Sequence, residues 1–177
     1  MSLLRLFRRL SLPLSLGFAM LAPAAALAEP GALYLVRHGE KATVGKDPEL
    51  TAQGKLRAEN VAAILGKAGI TAIYSSNTQR TRQTAEPLAQ KSGIAVALYD
   101  PGNPKALVAQ VQNVRASGDN VLLVGHSNTL PELVRLFGGA PGPDILDEEY
   151  DRLYQLTGRE GAVRTVLLRS LPVTPQQ

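Results

Sequence analysis

Between residues 32 and 169 short apolar runs alternate with amphipathic stretches. Residues 32–37 form a compact apolar run, which predicts a buried strand. Residues 51–67 carry Ala58, Val61, Ala62 and Leu65 at helical spacing, so one face turns inward. A second strand is expected over 71–74. Ser76 followed three residues later by Gln79 has the capping-box pattern, which predicts a helix opening at Ser76. Pro87 is expected to kink or break that helix one turn short of Gly93. Residues 94–98 read as a third strand, and Asn103 before Pro104 as the cap of a helix that buries Leu107, Val108, Val111 and Val114 and closes at Gly118. Residues 121–124 are the most apolar strand. The next helix presents Leu130, Leu133, Val134 and Phe137 and stops at Gly138–Gly139. Finally, 152–156 and 163–169 flank the glycine-bearing segment 158–161 and read as a hairpin. The alternation predicts an α/β protein: a three-layer α/β/α sandwich around a mostly parallel sheet with a C-terminal antiparallel hairpin. In such sheets, sites collect beyond the carboxyl ends of the strands.

The amino-terminal stretch breaks the alternation. Arg5, Arg8 and Arg9 precede an almost wholly apolar run from Leu10 to Leu27, which ends in Ala26-Leu27-Ala28. Basic, apolar, then Ala-x-Ala is the order of a cleaved secretory signal, so residues 1–28 are expected to be a leader and 29–177 a single catalytic domain beginning at Glu29. The expected location is periplasmic or secreted, with no stable membrane insertion after cleavage; Arg8-Arg9 leaves the twin-arginine route open. The formal charge of +4 reflects 19 basic and 15 acidic residues, and the leader holds three of the arginines. The basic balance therefore belongs mostly to the leader, and no nucleic-acid partner is expected. With no cysteine in the chain, an exported form holds together by packing alone.

The chain has only two histidines, and each directly follows a predicted buried strand: His38 in Arg37-His38-Gly39-Glu40 and His126 in Gly125-His126-Ser127-Asn128. Past Tyr74, the third strand end leads to Arg80 and Arg82. Histidines and arginines meeting on one rim suit a phosphate dianion, because guanidinium forks match phosphate oxygens. The amides of 127–130, ahead of Pro131 and Glu132, are expected to point back towards His126 as a further anion site. Neither a metal nor a cofactor is called for, since flanking arginines repel a cation and no ligand spacing appears.

The segments Arg37-His38-Gly39-Glu40, Leu50-Thr51-Ala52-Gln53-Gly54, Ser75 through Ala85 with Arg80, and Val124 through Asn128 together resemble the histidine phosphatase superfamily, in its phosphoglycerate-mutase-like branch. The resemblance implies His38 as nucleophile, with Arg37, Arg80 and His126 as phosphate-binding partners. Asn128 is a further substrate-binding candidate; Arg82 is left out, and the role of Glu40 is open. It also implies metal-independent phosphomonoester hydrolysis through a phosphohistidine. A neutral imidazole is nucleophilic near pH 7, and its other ring nitrogen should donate to a backbone carbonyl. The family's usual insertion after the third strand is almost absent, which leaves Asp100 as the candidate general acid or a turn residue, with Asp144, Asp147, Glu148 and Glu149 as further carboxylates. The substrate is expected to be a small phosphorylated molecule or a phosphoprotein. Competing readings are a phosphoprotein or phosphohistidine phosphatase, a mutase of the same superfamily, an exported phosphate- or anion-binding module without catalysis, and a metal site on His38 and His126.

Overall fold

The computed structural model describes residues 28–171; the expected leader, Ala28 apart, lies outside the described residues. Six strands and four helices follow in the order β1 (Leu33–Arg37), α1 (Ala52–Leu65), β2 (Ile70–Ser76), α2 (Gln79–Ser92), β3 (Val96–Tyr99), α3 (Pro104–Ala116), β4 (Asn120–Gly125), α4 (Leu130–Leu136), β5 (Arg152–Thr157) and β6 (Arg164–Arg169). They form one sheet in the order β3-β2-β4-β1-β5-β6. The first four strands in that order are parallel, β5 runs antiparallel to β1, and β6 closes the antiparallel hairpin. Among the described residues no helix is long and apolar enough to cross a membrane.

Alternation within the strands builds two cores. Leu33 and Leu35 of β1 join Val121 and Leu123 of β4, under α3 and α4 through Val111, Leu130, Val134 and Phe137. Tyr34 and Val36 face the other way, with Leu122 and Val124, onto α1 and α2 through Val61, Leu65, Ala85 and Leu88. This is the expected period of two in strands covered on both faces. Because β4 lies between β1 and β2, the chain leaves β1 towards one face by α1 and leaves β4 towards the other by α4. The crevice between the carboxyl ends of β1 and β4 is therefore the switch point of the sheet, where open α/β folds place their ligands.

Two local expectations fail. Ser76 does not open a helix: it is the last residue of β2, paired with Tyr99, and its hydroxyl is engaged by His126 and Thr81. The cap position is Thr78, whose side chain makes no capping bond. Of the kink or break expected at Pro87, the break does not occur: α2 runs on to Ser92 and ends at Gly93 with φ +69°. An interior proline costs about 3 kcal/mol; here the helix stays whole while Ala85 and Leu88, either side of the proline, are buried in the core. By contrast, Asn103 caps α3 as expected, accepting from the Ala106 amide at 3.3 Å.

Candidate active site

His38 extends β1 by one residue, its amide donating to the Gly125 carbonyl of β4 at 3.0 Å. It is 3% exposed. Its Nδ1 lies 2.7 Å from the Gly39 carbonyl oxygen, an acceptor only, so Nδ1 carries the proton and Nε2 keeps its lone pair. The turn is tight: a Cβ on Gly39 would sit 2.7 Å from the Gly54 carbonyl oxygen, and one on Gly54 would collide with that of Glu40. Only glycine pairs at this approach. The Thr84 hydroxyl accepts from the Gly39 amide at 3.0 Å and donates to the Arg80 carbonyl at 2.7 Å, which joins the His38 turn to the helix bearing Arg80.

His126, past the end of β4, brings its ring to 5.3 Å from that of His38, centroid to centroid. Its Nε2 is 2.8 Å from the Ser76 hydroxyl, which in turn donates to Thr81. The expected anion site at the following amides is only partly free, because Thr129 and Leu130 donate to the His126 carbonyl. Asn128 is exposed, and Arg82 is exposed on α2.

Arg37 is 5% exposed, yet among the described residues its charge has no ion pair. Instead its Nη1 donates to three carbonyls of one loop, those of Leu146, Asp147 and Glu149, at 2.8–2.9 Å. The Tyr150 ring covers the guanidinium at 4.0 Å and stands 6.1 Å from the His38 ring. Arg80 has its Nη1 on Asp47 at 3.3 Å. Among the described residues, the only buried side-chain nitrogen or oxygen atoms without a partner are Nε of Arg37 and Nε of Arg80. Each guanidinium is thus gripped at Nη1 and keeps its Nε–Nη2 edge, the pair of parallel N–H groups that takes an oxyanion in bidentate fashion. A buried unmade donor is costly, so both edges await an anionic acceptor.

Electrostatics agree with that. Burial pulls His38 down to about 3, aided by the charges of His126, Arg37 and Arg80 and opposed by the Gly39 hydrogen bond. His126 falls to about 4, from burial and then from Arg80 and Arg37. Burial also lowers Arg37, against the opposing influence of Tyr150, Asp147, Glu40 and Glu148. Both histidines are therefore neutral when folded at pH 7, whereas in the unfolded chain they titrate near 6.5. Below pH 6.5 the unfolded state binds more protons, so stability should fall with acidification by about 1.4 kcal/mol per pH unit for each histidine until the folded values are reached. Urea unfolding between pH 7.5 and 5 checks this. His38→Gln should flatten the slope, and an unchanged slope would mean that His38 is not held neutral by burial.

The carboxylates fall into distinct roles. Glu40 grips Arg57 through Nε at 2.9 Å, and Arg57 reaches Ser170 after β6, so Glu40 ties the motif to the end of the domain. Glu149 is held down to about 2 by hydrogen bonds from Arg152, with a further bond from Arg169, opposed by partial burial. Asp100 is not brought to the centre. It follows β3, the edge strand, three strand positions from β1, roughly 14 Å at a spacing of about 4.8 Å. Its Oδ1 accepts from the Gly102 amide at 2.8 Å, which makes it a turn residue. A strand's carboxyl end is legible in the sequence; its lateral place in the sheet is not. Asp144, Asp147 and Glu148 are exposed, and of these Asp147 and Glu148 lie near enough to act on Arg37.

Tyr150 and the carbonyl cage on Arg37 were missed by sequence reasoning. The signal that would have found them is pairing of the last hairpin against β1: with Val36 opposite Leu153, continuation of the register sets residues 150–152 beside 37–39.

The fold and site define a doubly wound α/β protein with two histidines and two half-free arginines at its switch point. Residues 33–101 match the profile of the histidine phosphatase superfamily (branch 1). A protein named probable phosphoglycerate mutase GpmB from Escherichia fergusonii is 43% identical over 76 residues, 39% of this chain and 35% of the relative. The Escherichia coli counterpart is 44% identical over 68 residues, 34% and 32% of the two chains. The match thus spans about a third of these relatives' length. In fold, the chain is similar to the protein histidine phosphatase SixA in complex with tungstate, with TM-score 0.66, 19% identity, and coverage of 78% of this chain and 96% of that one. It is also similar to a mycobacterial glucosyl-3-phosphoglycerate phosphatase, with TM-score 0.61, 18% identity, and coverage of 79% and 98%.

Proposed function

We propose that the protein hydrolyses phosphomonoesters through a phosphohistidine on His38. The observation that carries this reading is the pair of orphaned Nε atoms of Arg37 and Arg80 beside a neutral His38 whose Nδ1 is committed to Gly39. In the first step the Nε2 lone pair attacks phosphorus, the N–P bond forms, and the P–O bond to the leaving group breaks. In the second, water attacks phosphorus, the N–P bond breaks, and inorganic phosphate leaves. Arg37 and Arg80 act on the non-bridging oxygens as preorganised donors that stabilise the charge built up in the transition state, and His126 joins them when its Nε2–H turns from Ser76 to the phosphate. No metal enters these steps.

The leaving group sets the substrate class. With Asp100 at the sheet edge and Glu40 and Glu149 committed to arginines, the carboxylates left near Arg37 are Asp147 and Glu148, on a solvent-exposed loop. General acid catalysis is worth ~10²–10⁴-fold, so a weakly placed acid favours leaving groups that need no proton. Aryl phosphates, which leave as phenolates, should react much faster than alkyl phosphates. So should phosphohistidine, whose distal ring nitrogen takes its proton from solvent near pH 7, so that the P–N bond breaks to neutral imidazole without an acid from the enzyme. The β3–α3 connection is only four residues, 100–103, which leaves the rim open to a phosphoprotein. The name of the SixA neighbour agrees with that preference, whereas the GpmB relatives support a mutase as the second reading. Export remains part of the proposal, with Glu29 as the amino terminus of the protein recovered from the cell envelope.

A panel of phosphotyrosine, p-nitrophenyl phosphate, a phosphohistidine protein and glycerol phosphate, with and without EDTA, tests it. Chelator-resistant turnover that ranks with leaving-group acidity is expected. Activity lost in EDTA and restored by zinc would overturn the metal-free mechanism, and phosphate transfer between sugar positions without net release would favour the mutase.

A further inference from the structure

The segment between His38 and α1 leaves the site and returns to it. Its base is closed by the antiparallel bridge of Lys41 with Leu50, and by the Ala42 amide on the Glu49 carbonyl at 2.9 Å. The far part of the loop docks onto the first turn of α2. The Asp47 carboxylate accepts from the Gln79 amide at 3.1 and 3.2 Å, and the Asp47 carbonyl accepts from Gln79 Nε2 at 2.8 Å. The Leu50 amide donates to Gln83 Oε1 at 2.8 Å. Since Thr78 supplies no capping bond, Asp47 is the group that caps α2, and it does so from another element. The same carboxylate takes Nη1 of Arg80.

We propose that Asp47 is a positioning residue for Arg80: it holds Nη1 from the outer side and so aims the Nε–Nη2 edge at the phosphoryl group. The proposal rests on the phosphatase reading above for its chemistry, but its geometry is independent of which ester is cleaved. Arg37 offers the parallel case, with Nη1 gripped by carbonyls and Nε left over. The two arginines are thus set by two different loops, one through backbone oxygens and one through a single side chain. The Arg80 tether is the weaker of the two. Its carboxylate is 43% exposed, so the pair adds little to stability. Its effect lies in orientation, where misplacement of about 1 Å can cost ~10²-fold in rate.

The test is a double-mutant cycle on the full chain: Asp47→Asn, Asp47→Ala, Arg80→Ala and both doubles. It is read as kcat/KM on p-nitrophenyl phosphate, as the Kd of inorganic phosphate, and as melting temperature. Asp47→Asn keeps an acceptor for the Gln79 amide but removes the charge on Arg80. It should lose roughly tenfold in kcat/KM, weaken phosphate binding, and melt close to wild type. In the Arg80→Ala background, either Asp47 change should cost less than about twofold, because the arginine it acts through is gone. Wild-type kcat/KM in Asp47→Asn would overturn the proposal. So would an equal loss in the Arg80→Ala background, which would make Asp47 a helix cap and nothing more. A wild type that binds phosphate but cleaves no ester would overturn the catalytic reading, and the cycle would then be decided on phosphate Kd. A wild type that binds no phosphate would overturn both.

Discussion

His38→Ala is expected to reduce phosphate release to background, with the loss entirely in turnover and not in folding. The reason is that no second group replaces the Nε2 lone pair. His126, the only other histidine, has its Nε2 engaged by Ser76. The intermediate gives a direct check. Rapid quenching with a ³²P-labelled substrate should trap label on the wild-type protein in a form stable to alkali and lost in acid, the behaviour of a phosphoramidate, and His38→Ala should trap none. Label that survives acid would point to a hydroxyl nucleophile. Retained turnover in His38→Ala would remove the covalent route altogether. Because His38 is pulled down to about 3, its ring stays neutral well below pH 6, so on the proposed route turnover should not fall with an ordinary histidine pKa on the acid side.

Arg37→Ala should lower kcat/KM by ~10²–10³, the loss typical of one preorganised donor, or ~2.7–4 kcal/mol of transition-state stabilisation. Arg37→Lys should not restore it. A lysine ammonium is a single point donor: satisfying the carbonyls of Leu146, Asp147 and Glu149 leaves no second edge for phosphate. Thermal melting separates this from loss of structure, since the alanine variant also frees three carbonyls. The lysine variant retains a donor for them and should melt nearer wild type while remaining impaired. Activity within about threefold of wild type in Arg37→Lys would mean that only charge, and not the fork, is used at this position.

The parts of the molecule that are legible in the sequence are those fixed by neighbours close in the chain. The apolar runs mark the strands, Asn103-Pro104 marks a capped helix start, and the histidines stand out because each follows its strand directly. What is not legible depends on pairings across the sheet. Arg37 and the loop that grips it are separated by 109–112 positions, and nothing local in residues 144–150 distinguishes a solvated acidic loop from one whose carbonyls face an arginine. Ser76 misleads because its three-residue spacing to Gln79 imitates a cap, while its hydroxyl is used 50 positions away by His126. Asp100 misleads for the converse reason: it does end a strand, but strand order places that strand at the edge.

That Arg37 is held by backbone carbonyls divides the site into a part that must stay and a part that can drift. Every residue type brings the same carbonyl oxygen, so the identities of Leu146 and Asp147 are not what the arginine reads. Side chains at these positions can be exchanged, and with them the charge and shape of the rim, while the grip on Arg37 is unchanged. On the phosphatase reading, substrate preference can thereby evolve by ordinary point substitution in one loop, without passing through an inactive enzyme.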